Sequence, residues 1–99
     1  LFEFEWDRGN STKSGSKHGV ATDEVESVFT AKLGVPVGRQ ISPAVDEERL
    51  CLIGPSKAGR LLSVVFTLRG GRVRPISSRV ASRKERRLYE AIRKKIEGL

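Results

Sequence analysis

The sequence predicts an α+β domain, an antiparallel sheet packed against a few helices. Three observations predict it. Gly70-Gly71 lies between two β-type runs and marks a two-residue hairpin. Leu61-Leu62-Ser63-Val64-Val65-Phe66 is apolar on both faces, as a central strand requires. Ser82-Arg83-Lys84-Glu85 is a capping box that opens a helix. A chain of 99 residues holds one modest core, so residues 1–99 read as a single domain.

Taken in order, Phe2, Phe4 and Trp6 alternate with Glu3, Glu5 and Asp7, which predicts a short half-buried strand. Residues 9–19 are polar and turn-forming, hence a loop or one weak helical turn. Thr22, followed by Asp23 and Glu24, reads as the N-cap of a helix. Val25, Val28 and Phe29 give that helix its apolar face, and Gly34 ends it. Val35 to Ile41 reads as a strand that Pro36 and Gly38 confine to an edge. Leu50 to Gly54, Leu61 to Arg69 and Arg72 to Ser77 are three successive strands, with a turn at Pro55 to Gly59. In the final helix Leu88, Ala91, Ile92 and Ile96 form the expected buried stripe. Cys51 sits in an apolar run and reads as core packing. A lone cysteine excludes an internal disulfide and fits a reducing cytoplasm. No apolar run approaches the roughly 20 residues of a membrane span.

Charge narrows the function. The net +7 divides into −3 over the first 54 residues and +10 over the last 45. So lopsided a field, built on Arg rather than Lys, points to a polyanion and first to nucleic acid. One His, one Cys and scattered acids supply no metal-ligand cluster, and no phosphate-cradling glycine loop or nucleophile elbow is present. The remaining inventory needs no cofactor and suits RNA cleavage by the substrate's own 2′-hydroxyl. That chemistry requires a proton carrier and fixed positive charge around the transition state.

His18 is the one side chain whose ordinary titration lies near neutrality, and Lys17 adjoins it; the plainer reading is a solvated loop pair. Arg74 and Arg79 are five residues apart, so in an ideal strand they face opposite sides. They line one cleft if the strand ends or bulges near Ser77, which Pro75 favours; otherwise they merely guard an edge against aggregation. Arg49 and Arg60 are further cations for RNA, whereas Arg83 and Arg86 are a solvated helix face or non-specific phosphate contacts. Trp6 and Tyr89 can stack on bases, although Trp6 shares a face with Phe2 and Phe4 and so favours the core. Asp7 orients a neighbouring cation or caps the following turn.

Several segments together resemble the BrnT family of toxins. They are Phe4-Glu5-Trp6-Asp7, Lys17-His18-Gly19-Val20, Arg60-Leu61-Leu62, Ile76-Ser77-Ser78-Arg79 and Ser82 to Glu90, in that order and spacing, from residue 2 to about 92. The resemblance implies a RelE-like fold with a twisted antiparallel sheet. It also implies a metal-independent endoribonuclease that arrests translation and is neutralised by a BrnA-like antitoxin carrying a DNA-binding domain. DNA would be reached only through that antitoxin, in a possible dimer of toxin–antitoxin heterodimers. On this reading Lys17, His18, Arg74 and Arg79 form the catalytic core. Trp6, Arg49, Arg60, Arg83, Arg86 and Tyr89 bind RNA, and Glu85 belongs to the capping box.

The chain departs from the family pattern at Asn10 (usually Lys), Ser14 (usually Asn) and Pro75 (usually apolar). The first departure removes a cation from the phosphate site, and Pro75 removes a ladder donor. The alternatives are a non-catalytic RNA- or DNA-binding module, or a degenerate toxin serving as co-repressor with its antitoxin.

Overall fold

A computed structural model describes residues 2–42 and 47–98, the side chains of residues 16, 17 and 39–42 excepted. Among the described residues four strands form one antiparallel sheet in sequence order: β1 (Val35–Ser42), β2 (Glu47–Pro55), β3 (Leu61–Arg69) and β4 (Arg72–Val80). β1 is an edge strand, as Pro36 and Gly38 require, and its register slips between those two residues. β3 lies between β2 and β4. Gly70 and Gly71, at φ +55 and +80, take the left-handed conformations that the tight turn between β3 and β4 demands. β2 starts at Glu47 rather than Leu50, because Ser42↔Glu47 already pairs it with β1. β4 runs on to Val80, because Leu62↔Val80 extends its ladder past Ser77.

The N-terminal half departs further from expectation. Phe2 to Asp7 is not a regular strand but an extended segment joined to β4 by one parallel bridge, Phe4↔Val73. Glu5 N–H donates to Val73 O and Val73 N–H to Glu3 O, both at 2.8 Å, which covers the outer edge of β4. Residues 9–19, expected to be a loop or a single weak turn, are largely helical. α1 (Arg8–Thr12) runs into a wider π-type turn at Lys13–Lys17. Asp7 caps α1 in a reciprocal box: Asn10 N–H donates to Asp7 Oδ1 at 3.0 Å, and Asp7 N–H donates to Asn10 Oδ1 at 2.7 Å.

α2 spans Thr22–Thr30, with Ala21 rather than Thr22 at the cap. It ends through Lys32 at φ +58, two residues before Gly34. α2 presses Val25, Val28 and Phe29 onto Leu62, Val64 and Val73, with Phe4, Trp6, Leu52 and Phe66 packed around them. Phe29 meets Phe66 edge-on at 5.1 Å and Phe4 at 5.5 Å. α3 (Arg83–Glu97) carries the predicted capping box, but its expected stripe is not buried. Leu88 and Ile96 are 44% and 47% exposed, because the helix rests on β1 and β2 and not on the core beneath α2. No described helix is long and apolar enough to cross a membrane.

Candidate functional site

Directly opposed residues of an antiparallel ladder share a face. Ser63 Oγ on β3 donates to Glu85 Oε2 of α3 at 2.9 Å, so odd-numbered β3 residues look toward α3. Leu62, Val64 and Phe66 look the other way, into the α2 core. On β4, Arg79 pairs with Ser63 and Arg74 with Thr67. Five residues apart, the two arginines would normally diverge. The register instead steps from Val65↔Ser77 to Phe66↔Pro75, leaving Ile76 as an extra residue. This bulge brings both arginines onto one face, separated by four β3 positions or roughly 13 Å. Arg49 joins them. It lies two residues before Cys51, whose Sγ is 3.6 Å from Ser63 Oγ, and beside Thr67, whose hydroxyl donates to Glu48 O at 2.8 Å.

The three arginines differ in electrostatic state. Arg74 is 15% exposed and donates to Glu5 Oε1 at 3.1 Å and to Asp7 Oδ2 at 2.8 Å. Bonding to Asp7 first, and then to Glu5, holds its guanidinium still more firmly protonated. Asp7 is kept below the ordinary carboxylate range by the Asn10 N–H and by Arg74. Arg79 grips Glu85 with two prongs, at 2.6 and 3.0 Å. Burial opposes ionisation of Glu85, but Arg79, the Ser82 N–H and the Ser63 hydroxyl outweigh it and bring its pKa down to about 2. Arg49 has neither hydrogen bond nor ion pair among the described residues, and its Nε is buried without a partner. A half-buried guanidinium with no ion pair among the described residues is open to an anion on this face.

Lys17 closes the π-type turn, and its side chain lies outside the described residues. His18 follows half-buried, its N–H donating to Gly15 O. That turn packs against β4, the strand that carries Arg74 and Arg79. Among the described residues no three His, Cys, Asp or Glu side chains are gathered as a metal site would need.

Three other residues expected at the site, Trp6, Arg60 and Tyr89, have partners of their own. Trp6 is half-buried against the core, and its Nε1 donates to Glu26 Oε2 at 2.7 Å. Arg60 pairs with Glu24 at 2.7 Å through both Nε and Nη2. Tyr89 OH donates to Leu33 O at 2.9 Å and ties α3 to the segment before β1. Arg83 and Arg86 are exposed on α3. Sequence reasoning missed Glu5 as a partner of Arg74. The alternation of Glu5 and Asp7 with Phe4 and Trp6 was the available signal, since it puts both carboxylates on the side away from the core.

The departures from the family pattern are buried and partly in contact. Asn10 is 5% exposed, and its Nδ2 donates to Glu5 O at 3.0 Å and to Pro75 O at 2.9 Å. Ser14 is fully buried in the turn that packs on β4. Pro75 costs no ladder bond with β3. Val73 turns its N–H and C=O to the outer edge, and Pro75, two residues on, turns its carbonyl to the same edge, where Asn10 satisfies it.

A search of the curated proteins returned no match. Among solved structures the chain is similar to the ribonuclease toxin BrnT of Brucella abortus, at 21% identity with a TM-score of 0.62. That alignment covers 84% of this chain and all of the Brucella chain, and shows a shared fold. Residues 6–85 match the profile of the family described as the ribonuclease toxin, BrnT, of type II toxin–antitoxin systems. The matched stretch runs from Trp6 through the paired arginines of β4 to Glu85, and the chain belongs to the BrnT family of ribonuclease toxins.

Proposed function

We propose that the chain is a metal-independent endoribonuclease that inhibits translation and acts on the sheet face carrying Arg49, Arg74 and Arg79. His18 takes the proton from a substrate 2′-hydroxyl, whose oxygen attacks the adjacent phosphorus. The bond from phosphorus to the 5′-oxygen breaks, and that oxygen is protonated by the imidazolium or by water. The products are a 2′,3′-cyclic phosphate and a free 5′-hydroxyl. Lys17 and the arginines stabilise the charge that gathers on the phosphoryl oxygens. The observation that carries this reading is the bulge at Ile76, which aligns the β4 arginines on one face of the strand against which the turn of Lys17 and His18 packs. The carboxylates on Arg74 and Arg79 keep both guanidiniums oriented, while the unpaired Arg49 supplies the first grip on the RNA backbone.

The partner is a BrnA-like antitoxin with a DNA-binding domain, and DNA is reached only through the antitoxin. An acidic segment of it competes with RNA for the same positive face. The test is expression in a bacterium with and without the neighbouring gene, together with mapping of RNA ends. Growth arrest and new cyclic-phosphate ends, both reversed by the neighbouring gene, are expected. Salt-sensitive RNA binding without products would make the chain a binding module instead. A complex that binds operator DNA without any toxicity would make it a co-repressor.

A further inference from the structure

We propose that Arg60 is a positioning residue for His18, not an RNA contact; this rests on the reading of His18 as the proton carrier. Glu24 is 6% exposed and accepts from Arg60 Nε and Nη2 and from Ser56 Oγ, each at 2.7 Å. The two-pronged bond fixes the guanidinium plane. With that plane fixed, Nη2 also donates to Gly19 O at 2.8 Å. Arg60 therefore joins the first turn of α2, the approach to β3 and the residue immediately after His18.

Gly19 is where a clamp is needed. Its φ of +67 is open to glycine but does not confine it, so stereochemistry alone leaves the exit from the π-type turn loose. On the near side the N–H groups of His18 and Gly19 both donate to Gly15 O, the latter at 3.0 Å. On the far side Val20 is fully buried, and its N–H donates to Ser14 O at 2.9 Å. The Gly19 carbonyl between them is held by Arg60. Lysine, a point charge without the fork, cannot grip Glu24 with two prongs and reach Gly19 O as well. A misplacement of about 1 Å at a catalytic group can cost about 100-fold in rate, so loss of the clamp lowers kcat, while KM, which reports RNA contact, stays.

The test is steady-state cleavage of an oligoribonucleotide by wild type, Arg60→Lys, Arg60→Gln and His18→Ala, with melting curves and imidazole NMR of each folded protein. The expected result is a kcat lowered about 10- to 100-fold in the folded Arg60 variants, a KM within roughly threefold of wild type, and shifted His18 resonances. Folded Arg60 variants with wild-type kcat, or with the loss confined to KM, would overturn the proposal. Full activity in His18→Ala removes instead the catalytic reading beneath it, and that outcome is separate because it does not involve Arg60. If the Arg60 variants do not fold, Ser56→Ala, which strips one donor from Glu24, carries the same test. A fall in kcat at constant KM supports the clamp, and unchanged kcat with unshifted imidazole resonances refutes it.

Discussion

Replacing Glu85 by glutamine keeps the shape of the α3 cap and removes its charge. Both Glu and Gln complete a capping box, so the bond from Ser82 N–H survives. What is lost is the ionic component of the two-pronged bond to Arg79 and the strong acceptor for Ser63 Oγ. A carboxyl held at about 2 instead of 4.5 corresponds to about 3 kcal/mol before screening. Arg79 is 45% exposed, and solvent cuts the usable part to about 1–2 kcal/mol. Because the folded-state pKa is depressed, this stabilisation is complete above about pH 5 and is lost as the pH falls toward 2. Urea unfolding of wild type and Glu85→Gln at pH 7 and at about pH 2.5 reads the effect directly. The wild type is more stable by about 1–2 kcal/mol at pH 7, and the gap closes in acid. A gap that is absent at pH 7, or that persists unchanged in acid, would refute the reasoning.

Two further predictions concern Asn10 and Arg49. Asn10→Ala removes the cap partner of Asp7 and the buried donor to Glu5 O and Pro75 O, so it lowers unfolding stability by about 2–4 kcal/mol in urea titration. Arg49→Ala breaks no side-chain hydrogen bond or ion pair among the described residues and leaves the urea midpoint nearly unchanged. It weakens binding of a non-cleavable 2′-deoxy oligonucleotide and lowers the salt dependence by about one phosphate contact, measured by titration at several salt concentrations.

The second half of the chain was legible because its signals are local. A Gly-Gly turn, a run apolar on both faces and a serine three residues before a glutamate each act within a few residues, and β3, the hairpin and the α3 cap appear where they were expected. The helical turns at residues 8–17 were not legible, because their Gly-, Ser- and Thr-rich sequence has little helical preference of its own. They are held by Asp7 and by Asn10 reaching β4, 65 residues away. The α3 stripe was read correctly as a pattern and wrongly as a burial, since periodicity does not say which surface lies opposite. The shared face of Arg74 and Arg79 hung on one bulge that Pro75 hinted at. The commitment of Arg60 to Glu24 joins positions 36 residues apart, which no spacing rule connects. The contrast between paired Arg74 and unpaired Arg49 is likewise a tertiary fact.

The central claim is that the arginine-lined sheet face cleaves RNA. Its most direct test is the rate at which purified wild type and Arg79→Ala cut an oligoribonucleotide in the presence of a metal chelator, with both proteins shown to be folded. The wild type is predicted to release 2′,3′-cyclic phosphate ends, and Arg79→Ala to be slower by about 100-fold or more. A folded Arg79→Ala protein that cuts at the wild-type rate would contradict the account.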